Sequence, residues 1–130
     1  MPKDANKGKT LPEIAQLYGV GTYDMHLFLC TGPDCCTPEA GDSAWQAVKG
    51  KIKALFPKLS ESTIYRTKAQ CFRMCQDGPI AVCYPQGKWF RNVTAEQVDG
   101  LIDHLASGKT EPHPLEFACN PLPRPQPPPR

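Results

Sequence analysis

No stretch of this 130-residue chain approaches the roughly 18–20 consecutive apolar residues that a bilayer-spanning helix needs. The opening "MPKDANKGKT" carries lysines with no apolar segment behind them, so it does not read as a secretory signal. Charge of one sign is scarce too. A formal net charge of +2 is too small to argue for nucleic acid or an anionic membrane surface. There is no Gly-rich phosphate loop, no Ser-His-Asp arrangement on suitable elements and no carboxylate pair at an evident site. The chain therefore does not read as a substrate-converting enzyme.

Proline and cysteine are plentiful instead. Eight of the 15 prolines fall in the last nineteen residues, so the globular part should be shorter than the chain. Seven cysteines in a chain without an export signal point to a reducing, cytoplasmic location. There, clustered thiols serve as metal ligands or redox groups more often than as structural bridges.

Hydrophobic patterning sets out the elements. Residues 1–22 read as a polar arm, partly disordered, with a short helical turn in "LPEIAQLYGVG". "YDMHLFLC" reads as a central strand, because both its faces are largely apolar. "GDSAWQAVKGKIKALFPKL" has helical spacing, with Trp45, Val48, Ile52, Leu55 and Phe56 on one face and Asp42 or Ser43 as its cap. Gly50 inside this helix costs about 1 kcal/mol relative to alanine. "STIYRT" is a second strand. "PIAVCYP" and "KWFRNV" form a hairpin across "PQG". "TAEQVDGLIDHLASG" closes the domain as a helix with a Thr94/Gln97 capping box and a buried Val98, Leu101, Ile102 and Leu105 stripe. The order β-α-β then β-β-α is an α/β, thioredoxin-like layout: a mixed four-stranded sheet and two main helices over residues 23–109. Residues 110–130 read as a Pro-rich tail that continues no element, although Leu115 and Phe117 could dock on the domain.

Two cysteine loops carry the chemistry. Cys30 and Cys35 are spaced C-x4-C; after a 35-residue gap, Cys71 and Cys75 are spaced C-x3-C. Each pair follows a strand, and parallel strands in a βαβ unit release both loops at the same end of the sheet. Four thiols then converge, as a metal centre requires. Structural zinc favours tight C-x2-C knuckles, and a thioredoxin-type enzyme needs C-x2-C at a helix start; neither is present. The plant-type C-x4-C-x2-C pattern also fails, because the second pair arrives too late. A two-iron cluster takes two cysteines per iron, which two separate loops supply.

These motifs carry a resemblance. "CTGPDC" together with "CFRMCQDGPIAVCYPQGKWFRNVTAEQVDGLIDHLASG" resembles the thioredoxin-like 2Fe–2S ferredoxins, and the spacing is similar to that of the 2Fe–2S subunit of respiratory NADH dehydrogenases. The resemblance covers about residues 23–118. It implies that Cys30 and Cys35 hold one iron and Cys71 and Cys75 the other, in one 2Fe–2S cluster per chain. It also implies electron transfer between redox partner proteins, and a homodimer. A zinc-stabilised binding module and a thiol–disulfide redox protein of the same fold are the alternatives.

Other residues have plainer readings. Cys36 directly follows Cys35 and competes with it as ligand; the x4 spacing favours Cys35, leaving Cys36 pointing away. Cys83 reads as core, and His26 and His104 as structural. Tyr84, Trp89 and Phe90 are hairpin aromatics for the core, a dimer or a docking surface. Arg66, Lys68 and Arg73 flank the second loop, where cations would stabilise a reduced, negatively charged cluster.

Overall fold

A computed structural model of the chain describes residues 6–74, 76–108 and 111–123. Its elements run α1 (Leu11–Leu17), β1 (Met25–Cys30), α2 (Pro38–Leu55), a 3-10 turn (Leu59–Glu61), β2 (Ile64–Ala69), β3 (Ala81–Tyr84), β4 (Lys88–Phe90), α3 (Ala95–Ala106) and β5 (Glu116–Cys119). The sheet order is β2-β1-β3-β4-β5, so β1 is internal, as its two-sided apolar pattern requires. β1 runs parallel to β2 and antiparallel to β3. The α/β architecture follows the sequence reading, with one correction. The sheet has five strands, because Glu116–Cys119 pairs antiparallel with β4. The six residues between Pro114 and Pro121 leave room for a short edge strand of four.

One face of the sheet holds the core. Met25, Leu27 and Leu29 of β1, Ile64 of β2, Ala81 and Cys83 of β3 and Phe90 of β4 meet Ala44, Val48 and Ile52 of α2 and Val98, Leu101, Ile102 and Leu105 of α3. Burying each large apolar side chain contributes about 1.5–3 kcal/mol. Lys51 ties the two helices at their rim, with Nζ 2.9 Å from both Asp99 and Asp103.

The helix starts differ from expectation. α2 begins at Pro38, capped by Thr37, whose hydroxyl accepts the Ala40 N–H at 3.1 Å. Asp42 and Ser43 fall inside the helix. Thr followed by Pro is a stronger start, because proline at N1 gives up no needed hydrogen bond. The helix begins directly after the first cysteine loop. Leu55, expected on the buried face, is exposed where the helix ends. Thr94 stands at the N-cap of α3, but its side chain makes no capping bond to the backbone.

The opposite face of the sheet carries a row of half-buried rings. His26 stacks on Phe28 with centroids 4.1 Å apart, and Tyr65 meets His26 edge-on at 4.9 Å. Tyr84 lies edge-on to Phe28 at 6.4 Å. His26 Nε2 is 2.7 Å from Thr67 Oγ1, a structural role like the one expected for it.

Candidate functional site

The first cysteine loop starts where β1 ends. Cys30 is held on two sides: its N–H donates to the Ile80 carbonyl at 2.8 Å, and its sulfur lies 3.3 Å from the Gln70 carbonyl oxygen. Thr31 binds the end of β2 through its N–H, 2.9 Å from the Ala69 carbonyl. Gly32 then reverses the chain at φ +91°; a β-carbon there would run into the Cys36 carbonyl. Cys35 follows, and its sulfur is in direct contact with that of Cys30. The two Cα atoms are 7.3 Å apart, wider than the roughly 4.4–6.8 Å that a disulfide spans comfortably.

The second loop lies on the first. Gly78 N–H donates to the Cys35 carbonyl at 3.0 Å. A β-carbon on Gly78 would overlap that same carbonyl group, so only glycine lets the loops approach this closely. The far side of the loop is fixed to the chain after β4: Asn92 N–H donates to Asp77 O at 2.7 Å, and Val93 N–H to Pro79 O at 2.9 Å. Arg73 adopts φ +67°, and its N–H donates to the Cys71 sulfur at 3.0 Å. A backbone donor of this kind stabilises charge on a thiolate and tunes the potential of any cluster that it ligates.

Ile80 packs on Cys30 and Cys35, with Phe72, Trp89 and Phe117 around them. Phe72 meets the Trp89 ring edge-on at 5.4 Å. This apolar collar buries Cys30 and Cys35, while Cys71 on the adjoining loop is exposed. Cys75 lies outside the described residues. Among the described residues, no group of three or more His, Cys, Asp or Glu side chains is gathered tightly enough to hold a metal ion. What is gathered is one cysteine pair, with the Cys71 loop seated against it. Soft sulfur donors on two adjoining loops, with the Arg73 N–H turned toward sulfur, are the donor chemistry that an iron–sulfur cluster uses.

The other cysteines divide clearly. Cys36 does not point away: its sulfur is 3.7 Å from that of Cys35, and burial pushes its thiol pKa up. Cys83 is fully buried in β3, where desolvation raises its thiol to about 12 despite nearby Lys88. Cys119 sits exposed on β5.

The expected cations separate as well. Arg73 belongs to the second loop, but Arg66 turns toward α2 and covers the Trp45 ring at 5.9 Å. The cation that joins Arg73 is Arg91, which sequence reading missed. It lies 3.8 Å from Asp77 and 5.2 Å over the Phe117 ring. Hairpin counting could have found it, because Phe90 opposes Ala81 and the next residue falls beside the loop.

The chain matches known proteins. A Priestia megaterium protein described as a 2Fe–2S ferredoxin is 33% identical over 64% of this chain, and the match spans 62% of that protein's length. A 2Fe–2S ferredoxin of Aquifex aeolicus is 30% identical over 65% of this chain and 81% of its own. The solved structure of a thioredoxin-like 2Fe–2S ferredoxin from Aquifex aeolicus superposes with a TM-score of 0.64 at 27% identity, covering 78% of this chain and 96% of that one. No protein-family model matches the chain.

Proposed function

Because the chain belongs to the thioredoxin-like 2Fe–2S ferredoxins, we propose that it carries one electron between redox partner proteins, with Cys30, Cys35, Cys71 and Cys75 as the ligands of its cluster. The packing of Gly78 onto Cys35 carries this reading, since it seats the second cysteine loop against the first. A bound 2Fe–2S cluster supplies a centre that gains and loses one electron with no bond made to a substrate.

The chain's own residues do the rest. Buried Cys30 and Cys35 would hold one iron, and exposed Cys71 together with Cys75 would hold the other. The Arg73 N–H offsets charge on Cys71. Ile80, Phe72, Trp89 and Phe117 keep water from the inner pair, lowering the local dielectric. Exposed Met74, beside Cys75 in sequence, offers a partner protein an apolar landing point near the solvent-side ligands. The row of rings at His26, Phe28, Tyr65 and Tyr84 supports a homodimer through that face of the sheet. No described helix is long and apolar enough to cross a membrane. Clustered cysteines that ligate a metal are at home in a reducing compartment, which supports a cytoplasmic protein.

The test is purification under anaerobic conditions with assay of iron and acid-labile sulfide. About two of each per chain, with visible absorption that bleaches on reduction, is the expected result. Stoichiometric zinc, or neither iron nor sulfide, would overturn the proposal.

A further inference from the structure

A second concave site opens away from the cysteines, between α2 and the β2 edge of the sheet. It has a volume of about 650 Å³, and its charged lining consists of Lys49, Lys53, Lys58 and Arg66. No Asp or Glu lines it. Among the described residues, none of the four cations takes part in an ion pair. A chain of net charge +2 thus gathers four positive side chains around one hollow.

Two further features bear on the hollow. Arg66 Nε is buried with no hydrogen-bond partner. A buried donor left unmade costs about 1–3 kcal/mol, and more when the group is charged. Gly50 stands in the middle of α2 on the wall of the hollow, and a β-carbon there would meet nothing within 4 Å. Close packing therefore does not demand glycine, yet glycine weakens a helix by about 1 kcal/mol relative to alanine. What it does is leave the hollow open.

We propose that this groove binds a phosphorylated small molecule of nucleotide size. Phosphate oxygens suit the Arg66 guanidinium and the three ammonium groups, because charge-assisted bonds to phosphate are the strongest these side chains make. Leu17, Pro57 and Leu59 give the remainder of such a molecule an apolar wall. The volume lies within the roughly 300–1,000 Å³ of small-molecule sites. A hollow of that volume fits a compact ligand better than a flat protein surface. Arg66 is level with Leu27, three residues along β1 from Cys30. At about 3.3 Å per residue this places the groove on the order of 10 Å from the buried cysteines. Ligand and cluster therefore occupy separate sites.

Calorimetric titration of the iron-loaded protein tests this, using ATP, pyrophosphate, adenosine and a hexaglutamate peptide at physiological salt. Saturable ATP binding is expected, with pyrophosphate weaker and adenosine silent. Lys53→Glu, on the exposed surface, should weaken ATP by about tenfold or more, and Arg66→Gln at least as much. Gly50→Leu introduces a better helix former. It should keep the iron content and melting temperature while blocking ATP. Absence of saturable phosphate binding, equal affinity in Lys53→Glu and Gly50→Leu, or tighter binding of hexaglutamate than of ATP would each overturn the proposal.

Discussion

Gly78 lies with its backbone against Cys35, donating its N–H to the Cys35 carbonyl at 3.0 Å and leaving no room for a β-carbon. At this contact, a loop after β2 comes close against a loop after β1. Gly78→Ala forces the two loops apart, an overpacking effect of about 1–3 kcal/mol. The expected outcome is a folded protein that loses iron faster on chelator challenge, followed by visible absorption. Unchanged iron loss would show that the loops do not depend on their close approach.

Alanine at each cysteine sorts the ligands, and alanine is the right choice because a serine hydroxyl could itself ligate iron. Cys30→Ala, Cys35→Ala, Cys71→Ala and Cys75→Ala should each lose stoichiometric iron and sulfide. Cys36→Ala should retain both, even though the Cys36 sulfur is only 3.7 Å from that of Cys35. Retention at Cys35→Ala with loss at Cys36→Ala would exchange the two roles.

Thr37 accepts the Ala40 N–H and starts α2 one residue after Cys36. Thr37→Ala should cost about 1 kcal/mol in denaturant unfolding. Asp42→Ala, inside the same helix, should cost much less, and a larger loss at Asp42 would place the cap where the sequence alone suggested it.

His26 has its pKa lowered by desolvation, and His113 by desolvation and then by the charge of His104. Both are harder to protonate in the folded chain than in the unfolded chain, where histidine titrates near 6.5. The unfolded state therefore binds more protons below that value. Their contribution to stability is complete above about pH 6.5 and is lost as the pH falls through the lower folded-state values. Melting temperature should fall as the pH drops below about 6.5, and less steeply in His26→Phe. An equally steep fall in that variant would acquit His26.

Much of this arrangement was legible in advance because it rests on local pattern. Apolar patterning placed strands in "YDMHLFLC" and "STIYRT", which overlap β1 and β2, and their parallel pairing brings the two cysteine loops to one end of the sheet. What escaped the sequence depends on tertiary contact. β5 has four residues, too few for a periodic signal, and exists because β4 offers an open edge. Asp42 and Ser43 looked like a cap because they precede the apolar stripe, whereas the helix starts earlier and is exposed on its first turn. The inward turn of Cys36 follows from the reversal at Gly32, a backbone effect that spacing alone does not encode. Arg66 was misplaced because nearness in sequence to Cys71 says nothing about which face of β2 it occupies; its register partner is Leu27, on the helix side.

β5 has a consequence for anything attached beyond it. Phe117 is part of the wall around the inner cysteines, and Lys88 holds Glu116 at 3.9 Å. The C-terminal segment is therefore a hinge-side panel of the sulfur compartment. A protease cut or a proline-recognising module that peeled Glu116–Cys119 from β4 would let oxygen and chelators in from that side. The lifetime of the prosthetic group would then be set by the grip on four residues near the end of the chain.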